Sequence, residues 1–332
     1  MHAKIRLAIL GAGYMARRHA HNLAREPEAA LVAVCDVRRE AAEALCAELR
    51  GEAAPYEDFD RMLAETAPEA IYVCLPPFAH EGQVEEAAGR GIHLFLEKPI
   101  ALTAQRAASM VLAVQRAGVV AQVGYHMRFG AAVRELRRMI EDGTAGRPAL
   151  FDARYDCNSL HGPWWRDAEK SGGQVLEQAI HLYDLALHFL GEPSRAAAFT
   201  ANLCHGDVPG YTVEDTSAAA ICFKNGSLAG ITASNCAVPM EWNSSFTVVC
   251  EKVTAYFTDP NRAEFVRTDA DPPERFSIRG DVEMYVEETR AFLASVRGRG
   301  LRVAPIEEGY LGVRLVEAVV ASAKAGGTPR DV

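Results

Sequence analysis

The first 125 residues alternate short apolar segments with helical patterns, and this alternation restricts the fold more than any other feature of the chain. The apolar runs that predict strands are 5–10, 31–35, 70–75, 93–96 and 119–123. The segments with helical periodicity are 14–25, 40–49, 81–89 and 104–118. Strands that are apolar throughout and separated by helices are typical of a parallel sheet covered on both faces. We therefore predict a doubly wound α/β domain over residues 1–124, with right-handed crossovers.

The pattern changes after residue 124. Helical signals at 131–141, 174–190, 282–297 and 307–325 surround a strand at 149–157 and a region from 195 to 276 in which strand signals dominate. Within that region, Lys224-Asn225-Gly226-Ser227 predicts a hairpin with a type I′ turn. Several antiparallel strands with helices on one face form an α+β domain, which we predict over residues 125–332.

Composition and charge exclude several classes of protein. The chain has 332 residues, of which 49% are hydrophobic and 24% charged, as expected of a folded protein with a sizeable core. A net charge of −9 argues against nucleic acid as a partner. No apolar run approaches the ~20 residues needed to span a bilayer, and the N-terminus reads as a strand. Eight cysteines occur without a CxxC pair. We expect a cytoplasmic protein without a membrane partner.

A glycine-rich turn follows the first predicted strand. Gly11-Ala12-Gly13-Tyr14-Met15-Ala16 fits the pattern GxGxxA. In this pattern the first glycine permits a tight turn, the second lets the backbone approach a pyrophosphate, and the small third residue packs against the strand. The following helix presents free N–H groups and its positive end to the phosphates. The segment predicts a dinucleotide site.

An acidic residue at the end of the second strand indicates which dinucleotide binds. Asp36 comes 23 residues after Gly13, near the usual spacing of about 20. Its carboxylate can accept both hydroxyls of the adenosine ribose and repels a 2′-phosphate. We therefore predict NAD as the cofactor. NADP stays open as an alternative, because Arg38 or Arg39 could pair with a 2′-phosphate.

Four further segments, taken together with the glycine turn, identify a family. They are Leu75-Pro76-Pro77-Phe78-Ala79-His80, Glu97-Lys98-Pro99-Ile100-Ala101-Leu102-Thr103, Val123-Gly124-Tyr125-His126-Met127-Arg128-Phe129, and the stretch from Gly172-Gly173 to His181 and Asp184. In order and spacing, over nearly the whole chain, they resemble the Gfo/Idh/MocA oxidoreductases. This is the family of glucose-fructose oxidoreductase and inositol 2-dehydrogenase.

The resemblance implies a fold and a reaction. The fold would be an N-terminal Rossmann domain followed by an α/β domain with a large, mostly antiparallel open sheet, through which the chain would form a homodimer or homotetramer. The reaction would be hydride transfer between a hydroxyl-bearing carbon of a sugar or cyclitol and nicotinamide C4. Lys98 would hydrogen-bond the reacting oxygen, and Pro99 would often be cis. The implied cofactor contacts are Gly11, Gly13, Tyr14, Met15, Asp36, Leu75, Pro76, His80, Glu97 and Lys98.

The predicted helix at 174–190 carries an acid–base pair. Glu177 and His181 are four residues apart and would share one helix face. An imidazole titrates near neutral pH and suits removal of the alcohol proton. The family commonly has Asp where this chain has Glu177, so Glu177 could orient His181, bind a substrate hydroxyl, or do both. Asp184 and His188 continue the same side and could suggest a metal site, but hydride transfer assisted by Lys98 needs no Lewis acid, so we predict no metal.

The residues that would select the substrate lie before this helix. Trp164, Trp165 and Arg166 form part of an irregular segment that could stack on a sugar and bind its hydroxyls, or anchor the segment to the core. His126 and Arg128 follow the sixth strand and could contact substrate, although Arg128 could equally form an ion pair. The predicted partner is therefore a small polyhydroxylated molecule.

Three functions are compatible with these sequence features. The first is an NAD(P)-dependent dehydrogenase acting on a sugar, sugar acid or cyclitol, in which Lys98 and His181 handle the hydroxyl proton. The second is an NAD-dependent glycoside hydrolase that uses transient oxidation. The third is a non-catalytic NAD(P)-binding regulator, which would need neither Lys98 nor His181.

Overall fold

The parallel sheet predicted for the N-terminal half is present. The computed structural model describes residues 3–49, 52–300 and 303–332. The chain divides into two compact units, the first made of residues 1–101, 105–125 and 285–310, and the second of residues 102–104, 126–284 and 311–332. The division predicted at residue 124 therefore differs from the structure in two respects, because residues 102–104 belong to the second unit and residues 285–310 return to the first.

Six parallel strands form the sheet of the first unit, in the order β3-β2-β1-β4-β5-β6. The strands are β1 (Ile5–Leu10), β2 (Ala29–Cys35), β3 (Ala54–Tyr56), β4 (Ala70–Val73), β5 (His93–Leu96) and β6 (Ala121–Val123). The helices between them are α1 (Tyr14–Arg25), α2 (Arg39–Glu48), α3 (Phe59–Thr66), α4 (Gln83–Gly89) and α5 (Ala104–Ala117). The α/β prediction is confirmed. The elements β3 and α3 were not predicted, because β3 is a three-residue edge strand without a fully buried side chain.

Apolar residues cover both faces of this sheet. All four residues of β4 are buried, and the face toward α1 packs on Ala16, Ala20 and Leu23. A later helix, α10 (Met284–Val296), adds Phe292 and Leu293 to the same core. This packing explains why a segment distant in sequence belongs to the first unit.

The second unit is built on a nine-stranded sheet in the order β14-β13-β12-β11-β7-β10-β9-β8-β15. Its strands are β7 (Pro148–Cys157), β8 (Pro193–Ala201), β9 (Thr216–Phe223), β10 (Leu228–Ser234), β11 (Trp242–Cys250), β12 (Val253–Asp259), β13 (Arg262–Arg267), β14 (Glu274–Arg279) and β15 (Arg330–Asp331). Neighbouring strands are antiparallel except β7 and β10, which are parallel. The mostly antiparallel sheet implied by the resemblance is confirmed.

Helices cover one face of this second sheet. They include α6 (Ala131–Glu141), the short α7 (Pro163–Arg166) and α8 (Ala168–Ser171), α9 (Ile180–Leu190) and the greater part of α11 (Ile306–Lys324). Helix α9 packs on β7 and β10, and α6 packs on β13 and β14. Burial alternates along the strands, as in β9 and β10, because only one face is covered. Within the described residues, no helix is long and apolar enough to cross a membrane.

The hairpin between β9 and β10 is where predicted, but its predicted turn type is wrong. A type I′ turn needs positive φ at both central residues. In this turn only Gly226 has a positive φ, at 89°. Asn225 does not adopt the positive φ of a type I′ turn. Its Oδ1 accepts a hydrogen bond from the Ser227 N–H, and its Nδ2 donates one to the Leu190 carbonyl. These contacts stabilise a turn with one left-handed residue.

Candidate active site residues

The glycine turn after β1 has the shape of an anion site. Gly11 has φ of 93°, and a Cβ there would lie 2.5 Å from the Cys74 carbonyl oxygen, so only glycine fits. Gly13 precedes α1 without a side-chain cap, and a Cβ on it would meet nothing within 4 Å. The first turn of α1, which begins with the exposed Tyr14 and the partly buried Met15, has no acidic residue. The open approach and the uncapped helix end fit a dinucleotide pyrophosphate.

Asp36 lies directly beside this turn. Its Oδ2 accepts a hydrogen bond from the Ala12 N–H at 2.9 Å, and its Oδ1 accepts one from the Arg38 N–H at 2.9 Å. Arg39 pairs with Glu43 along α2. The carboxylate is thus fixed at the end of β2, where an acidic residue accepts the adenosine ribose hydroxyls. This arrangement fits NAD.

The strands β1, β4 and β5 are neighbours, so the segments that follow them share the carboxyl edge of the sheet. Leu75 and Pro76 follow β4, and His80 is buried just beyond them. Burial, together with the positive charge of Arg106, lowers the pKa of His80 to about 4, so its ring is neutral at neutral pH. Lys98 follows β5, and the Lys98–Pro99 peptide bond is cis, as the resemblance implied.

Glu97 lies in the interior of the first unit. Its side chain is 7% exposed, and its Oε1 lies 2.6 Å from Nε2 of the fully buried His19. Its Oε2 accepts a hydrogen bond from the Lys98 N–H at 3.1 Å. The carboxylate therefore holds the backbone that carries Lys98. No local sequence pattern marks His19, which lies three residues after Ala16 on the buried side of α1.

In the second unit, the segment that carries the acid–base pair is not a regular α-helix throughout. Val175–Ala179 is π-helical and leads into α9, so the prediction of one α-helix over 174–190 is wrong in its first turn. The wider turn places Glu177 differently from the α-helical face assumed for a spacing of four residues, and such turns are frequent at functional sites. His181 follows in the first turn of α9 and is buried.

A partly buried carboxylate caps this segment. Glu214 Oε1 accepts a hydrogen bond from the Val175 N–H at 2.8 Å, and a Cβ on Gly173 would lie 2.4 Å from Glu214 Oε2. Burial raises the pKa of Glu214. Glu214 was missed by the sequence analysis because it lies 39 residues after Val175, and no local pattern marks the contact.

The second unit brings several of the predicted residues together. The rings of His126 and His181 are 4.6 Å apart at their centroids, in an edge-to-face arrangement. The Trp165 indole N–H donates to Glu177 Oε2 at 2.7 Å, and Trp165 is buried in a small core with Tyr211 and Val213. Trp165 therefore supports Glu177 from the interior.

Two other predicted residues bind protein groups. The guanidinium of Arg128 donates to both carboxylate oxygens of Asp184, and both side chains are buried. Arg166 donates to the carbonyls of Leu160 and His161, which holds the segment before α7 in place. Trp164, beside Trp165, is only partly buried.

Two clusters among the described residues have the composition of a metal site. One is Cys204, Asp215 and Cys236, and the other is His19, Glu97 and Glu288. Neither contains Glu177 or His181. In the first cluster the Asp215 carboxylate already accepts the N–H groups of Leu203, Cys204 and His205. These hydrogen bonds occupy the Asp215 carboxylate and hold the loop that contains the three donors.

Comparisons with known proteins agree with this architecture. The protein-family model described as "Oxidoreductase family, NAD-binding Rossmann fold" (GFO_IDH_MocA) matches residues 5–125. The family model of the GFO/IDH/MocA C-terminal domain matches residues 133–256. The chain is 29% identical to D-glucoside 3-dehydrogenase of Escherichia coli (strain K12), over 97% of this chain and 96% of that protein. It is 26% identical to myo-inositol 2-dehydrogenase of Thermotoga maritima, over 94% of each.

A solved structure shows the same fold. Levoglucosan dehydrogenase in complex with NADH and L-sorbose has a TM-score of 0.90 to this chain, at 20% identity, and the match covers 100% of this chain and 99% of the other.

Proposed function

The chain belongs to the Gfo/Idh/MocA family and is an NAD-dependent oxidoreductase acting on CH–OH groups, and from this premise we propose that its substrate is a sugar, sugar acid or cyclitol. When bound, NAD exchanges a hydride at nicotinamide C4 with the hydroxyl-bearing carbon. The chain itself must hold the substrate and move the hydroxyl proton.

The position of Lys98 carries this proposal. It follows β5 at the carboxyl edge of the parallel sheet, two strands from the glycine turn of β1, a separation of about 10 Å at ordinary strand spacing. Ligands of such sheets bind at this edge. Lys98 hydrogen-bonds the reacting oxygen, and its ammonium stabilises negative charge on that oxygen as the proton leaves.

His181 accepts the hydroxyl proton. It is buried beside His126 and follows a π-helical turn that Glu214 caps, so its backbone is held firmly. Glu177 assists His181 in this role. One of its carboxylate oxygens accepts a hydrogen bond from the Trp165 indole N–H. In this assignment His126 and Trp164 face the substrate. Trp165, Arg128 and Arg166 bind protein groups and hold the surrounding segments in place.

The substrate class rests on two kinds of support. D-glucoside 3-dehydrogenase and myo-inositol 2-dehydrogenase, to which the chain is similar over nearly its whole length, are named for rings with several hydroxyl groups. Aromatic and imidazole side chains such as Trp164 and His126 offer an apolar face and polar edges, which suit such rings.

A substrate panel tests the proposal. The protein is incubated with NAD and a series of aldoses, sugar acids, glucosides and inositols, and NADH fluorescence is recorded. We expect net NADH from at least one compound of this class. Release of an aglycone without net NADH would instead support the glycosidase reaction, and cofactor binding without turnover of any compound would support a regulator.

Substitution of Lys98 tests its role directly. We expect Lys98→Ala to lower kcat by about 10²–10⁴-fold while NAD binding is retained, because a group that assists proton transfer contributes on this scale. Lys170→Ala, which removes an exposed lysine near α8, is the matched control. Unchanged kcat in Lys98→Ala would remove Lys98 from the mechanism.

We also propose that the open face of the nine-stranded sheet joins copies of this chain into a homodimer or homotetramer. Val249, Leu150, Leu228 and Cys222 form one row across β11, β7, β10 and β9, because each is the register partner of the next. Leu150 and Leu228 are 40% and 50% exposed. An apolar row on an exposed sheet face is typical of a protein interface.

Light scattering coupled to size-exclusion chromatography tests this assembly. We expect the double variant Leu150→Arg with Leu228→Arg to have a smaller mass than the wild-type protein. Leu112→Arg alters an equally exposed leucine on α5 and should leave the mass unchanged. A wild-type protein that is monomeric, or a double variant with the wild-type mass, would contradict the proposed interface.

A further inference from the structure

Three polar side chains from distant parts of the chain meet in the core of the first unit. His19 comes from α1, Glu97 follows β5 and Glu288 comes from α10, and one polar atom of each lies within 4.8 Å of the others. All three are buried, and His19 and Glu288 are fully so. We call them the His19 cluster. Aromatic rings surround it, with Phe95 and Tyr72 centred 4.9 and 5.2 Å from the His19 ring.

The two carboxyl groups of the cluster have different surroundings. Glu97 has His19 Nε2 on one oxygen and the Lys98 N–H on the other. In the described part of the chain, neither oxygen of Glu288 accepts a hydrogen bond from a protein donor. Donors stabilise a carboxylate, whereas burial without donors favours the neutral acid. Glu97 is therefore the carboxylate of the pair, and Glu288 is the acid.

The distances favour a shared proton over a metal ion. His19 Nε2 and Glu97 Oε1 are 2.6 Å apart, which is a hydrogen-bond distance. Two ligands of one tetrahedral zinc ion, each about 2.0–2.1 Å from the metal, would be about 3.3 Å apart. The gap between these atoms holds a hydrogen atom.

Electrostatics leads to the same assignment. Burial raises the pKa of Glu288 well above its usual range, the charge of Glu97 raises it further, and the Arg18 guanidinium acts in the opposite direction. The titratable groups that interact with Glu288 are Glu97, Cys74 and Tyr72 from the sheet, Arg18 from α1 and Tyr285 from α10, with His19 completing the cluster. Two buried carboxyl groups this close disfavour each other's ionisation.

We propose that Glu288 is a positioning residue for Lys98, a neutral acid whose O–H faces Glu97 and fixes the carboxylate that holds the Lys98 backbone. Glu288 itself touches no reacting atom in this scheme. It acts through Glu97, which binds the Lys98 N–H, and through α10, whose Glu288 carbonyl accepts a hydrogen bond from Gln122 on β6. This inference rests on the proposed function for the part that concerns turnover.

The protonation state of Glu288 can be tested without any substrate. In unfolded chains a glutamic acid ionises above about pH 4.5, whereas here the fold keeps Glu288 protonated. The wild-type protein must therefore lose stability, relative to Glu288→Gln, as pH rises above that value, until Glu288 ionises in the folded state. We expect the Tm of Glu288→Gln minus that of the wild-type protein to increase between about pH 5 and about pH 8.

Glu287→Gln is the matched control for this measurement. Glu287 is the neighbouring residue on α10 and pairs with Arg290 at the surface. Its Tm difference from the wild-type protein should not increase with pH. A Tm difference for Glu288→Gln that is constant with pH would show that Glu288 is ionised in the fold, and would overturn the assignment whatever the enzyme acts on.

Steady-state kinetics tests the positioning role. We expect Glu288→Leu to lower kcat by about 10–100-fold with an unchanged KM for NAD, because displacement of a catalytic group has effects on this scale. Glu288→Gln should restore most of the rate, since the amide N–H is also a donor to Glu97. Wild-type kcat in Glu288→Leu, or equal losses in both variants, would contradict the role. If Glu288→Leu does not fold, a wild-type kcat in Glu97→Leu would contradict it instead.

If the wild-type protein oxidises no sugar or cyclitol, the proposed function fails while the Tm result still stands.

Discussion

The two sheets of this protein bury their apolar residues in different ways. The parallel sheet of the first unit is covered on both faces, so that β4 and β5 are apolar nearly throughout. The nine-stranded sheet of the second unit is covered on one face, so that its strands alternate between buried and exposed residues. The difference determines where each sheet can place polar groups.

In the first sheet, most of the polar side chains assigned to the site lie where a strand ends. Asp36, His80 and Lys98 all follow the carboxyl ends of strands β2, β4 and β5. The second sheet has a whole face available, and that face carries apolar residues such as Leu150 and Leu228 together with charged residues such as Asp152. Ligand chemistry is therefore expected at an edge in one unit, and association through a face in the other.

Alanine substitutions at adjacent positions test this contrast most strongly. Leu94 and Phe95 are both fully buried in β5, whereas in β7 Phe151 is fully buried and Leu150 is 40% exposed. We expect Phe95→Ala and Phe151→Ala to lower the free energy of unfolding by about 3–5 kcal/mol and Leu94→Ala by about 2–5 kcal/mol. Leu150→Ala should lower it by less than about 1 kcal/mol at a protein concentration low enough to separate the copies.

Urea unfolding at two protein concentrations measures these differences. A small loss for Leu94→Ala would contradict a parallel sheet covered on both faces. A loss for Leu150→Ala that is large and grows with protein concentration would show that a second copy covers the open face, and would sharpen the contrast between face and edge.

The buried histidine at the edge of the first sheet should make stability depend on pH. Because the fold lowers the pKa of His80 to about 4, the unfolded chain binds a proton between about pH 6.5 and 4 that the folded chain does not. We expect the wild-type protein to lose about 3 kcal/mol of stability relative to His80→Gln across this interval. His21→Gln, at an exposed position on α1, is the control. Parallel stability curves for the wild-type protein and His80→Gln would place His80 in water rather than in the interior.

The smallest of these effects concerns the choice of dinucleotide. We expect Asp36→Ser to weaken NADH binding by about 10- to 100-fold and to reduce the preference over NADPH, since a hydrogen bond to a charged group contributes about 1.5–3 kcal/mol. Fluorescence titration with both nucleotides measures this change. A wild-type protein that binds NADPH more tightly than NADH would contradict the role given to Asp36.

Local patterns were sufficient for much of this protein. Continuous apolar runs separated by helical periodicity predicted the parallel sheet, and α1 and α6 have the bounds that the sequence predicted. The glycine turn was predictable because the positive φ of Gly11 is a local requirement of a tight turn, although the carbonyl that excludes a Cβ there belongs to Cys74, 63 residues away. The hairpin at Gly226 was predictable in place but not in turn type, because the Asn225 side chain binds Leu190, 35 residues away in sequence.

The sequence by itself determined which residue types are available and which segments form strands and helices, because backbone propensity and apolar periodicity act over a few residues. Only the tertiary structure decided that Glu214 caps the segment before α9, that Trp165 binds Glu177, and that Glu288 meets Glu97 in a buried cluster. These contacts join residues as far apart as 191 positions, and the free energy of a buried charge depends on all its neighbours at once. For that reason the sequence predicted a helix at 282–297 but gave no sign that Glu288 would lie in the core.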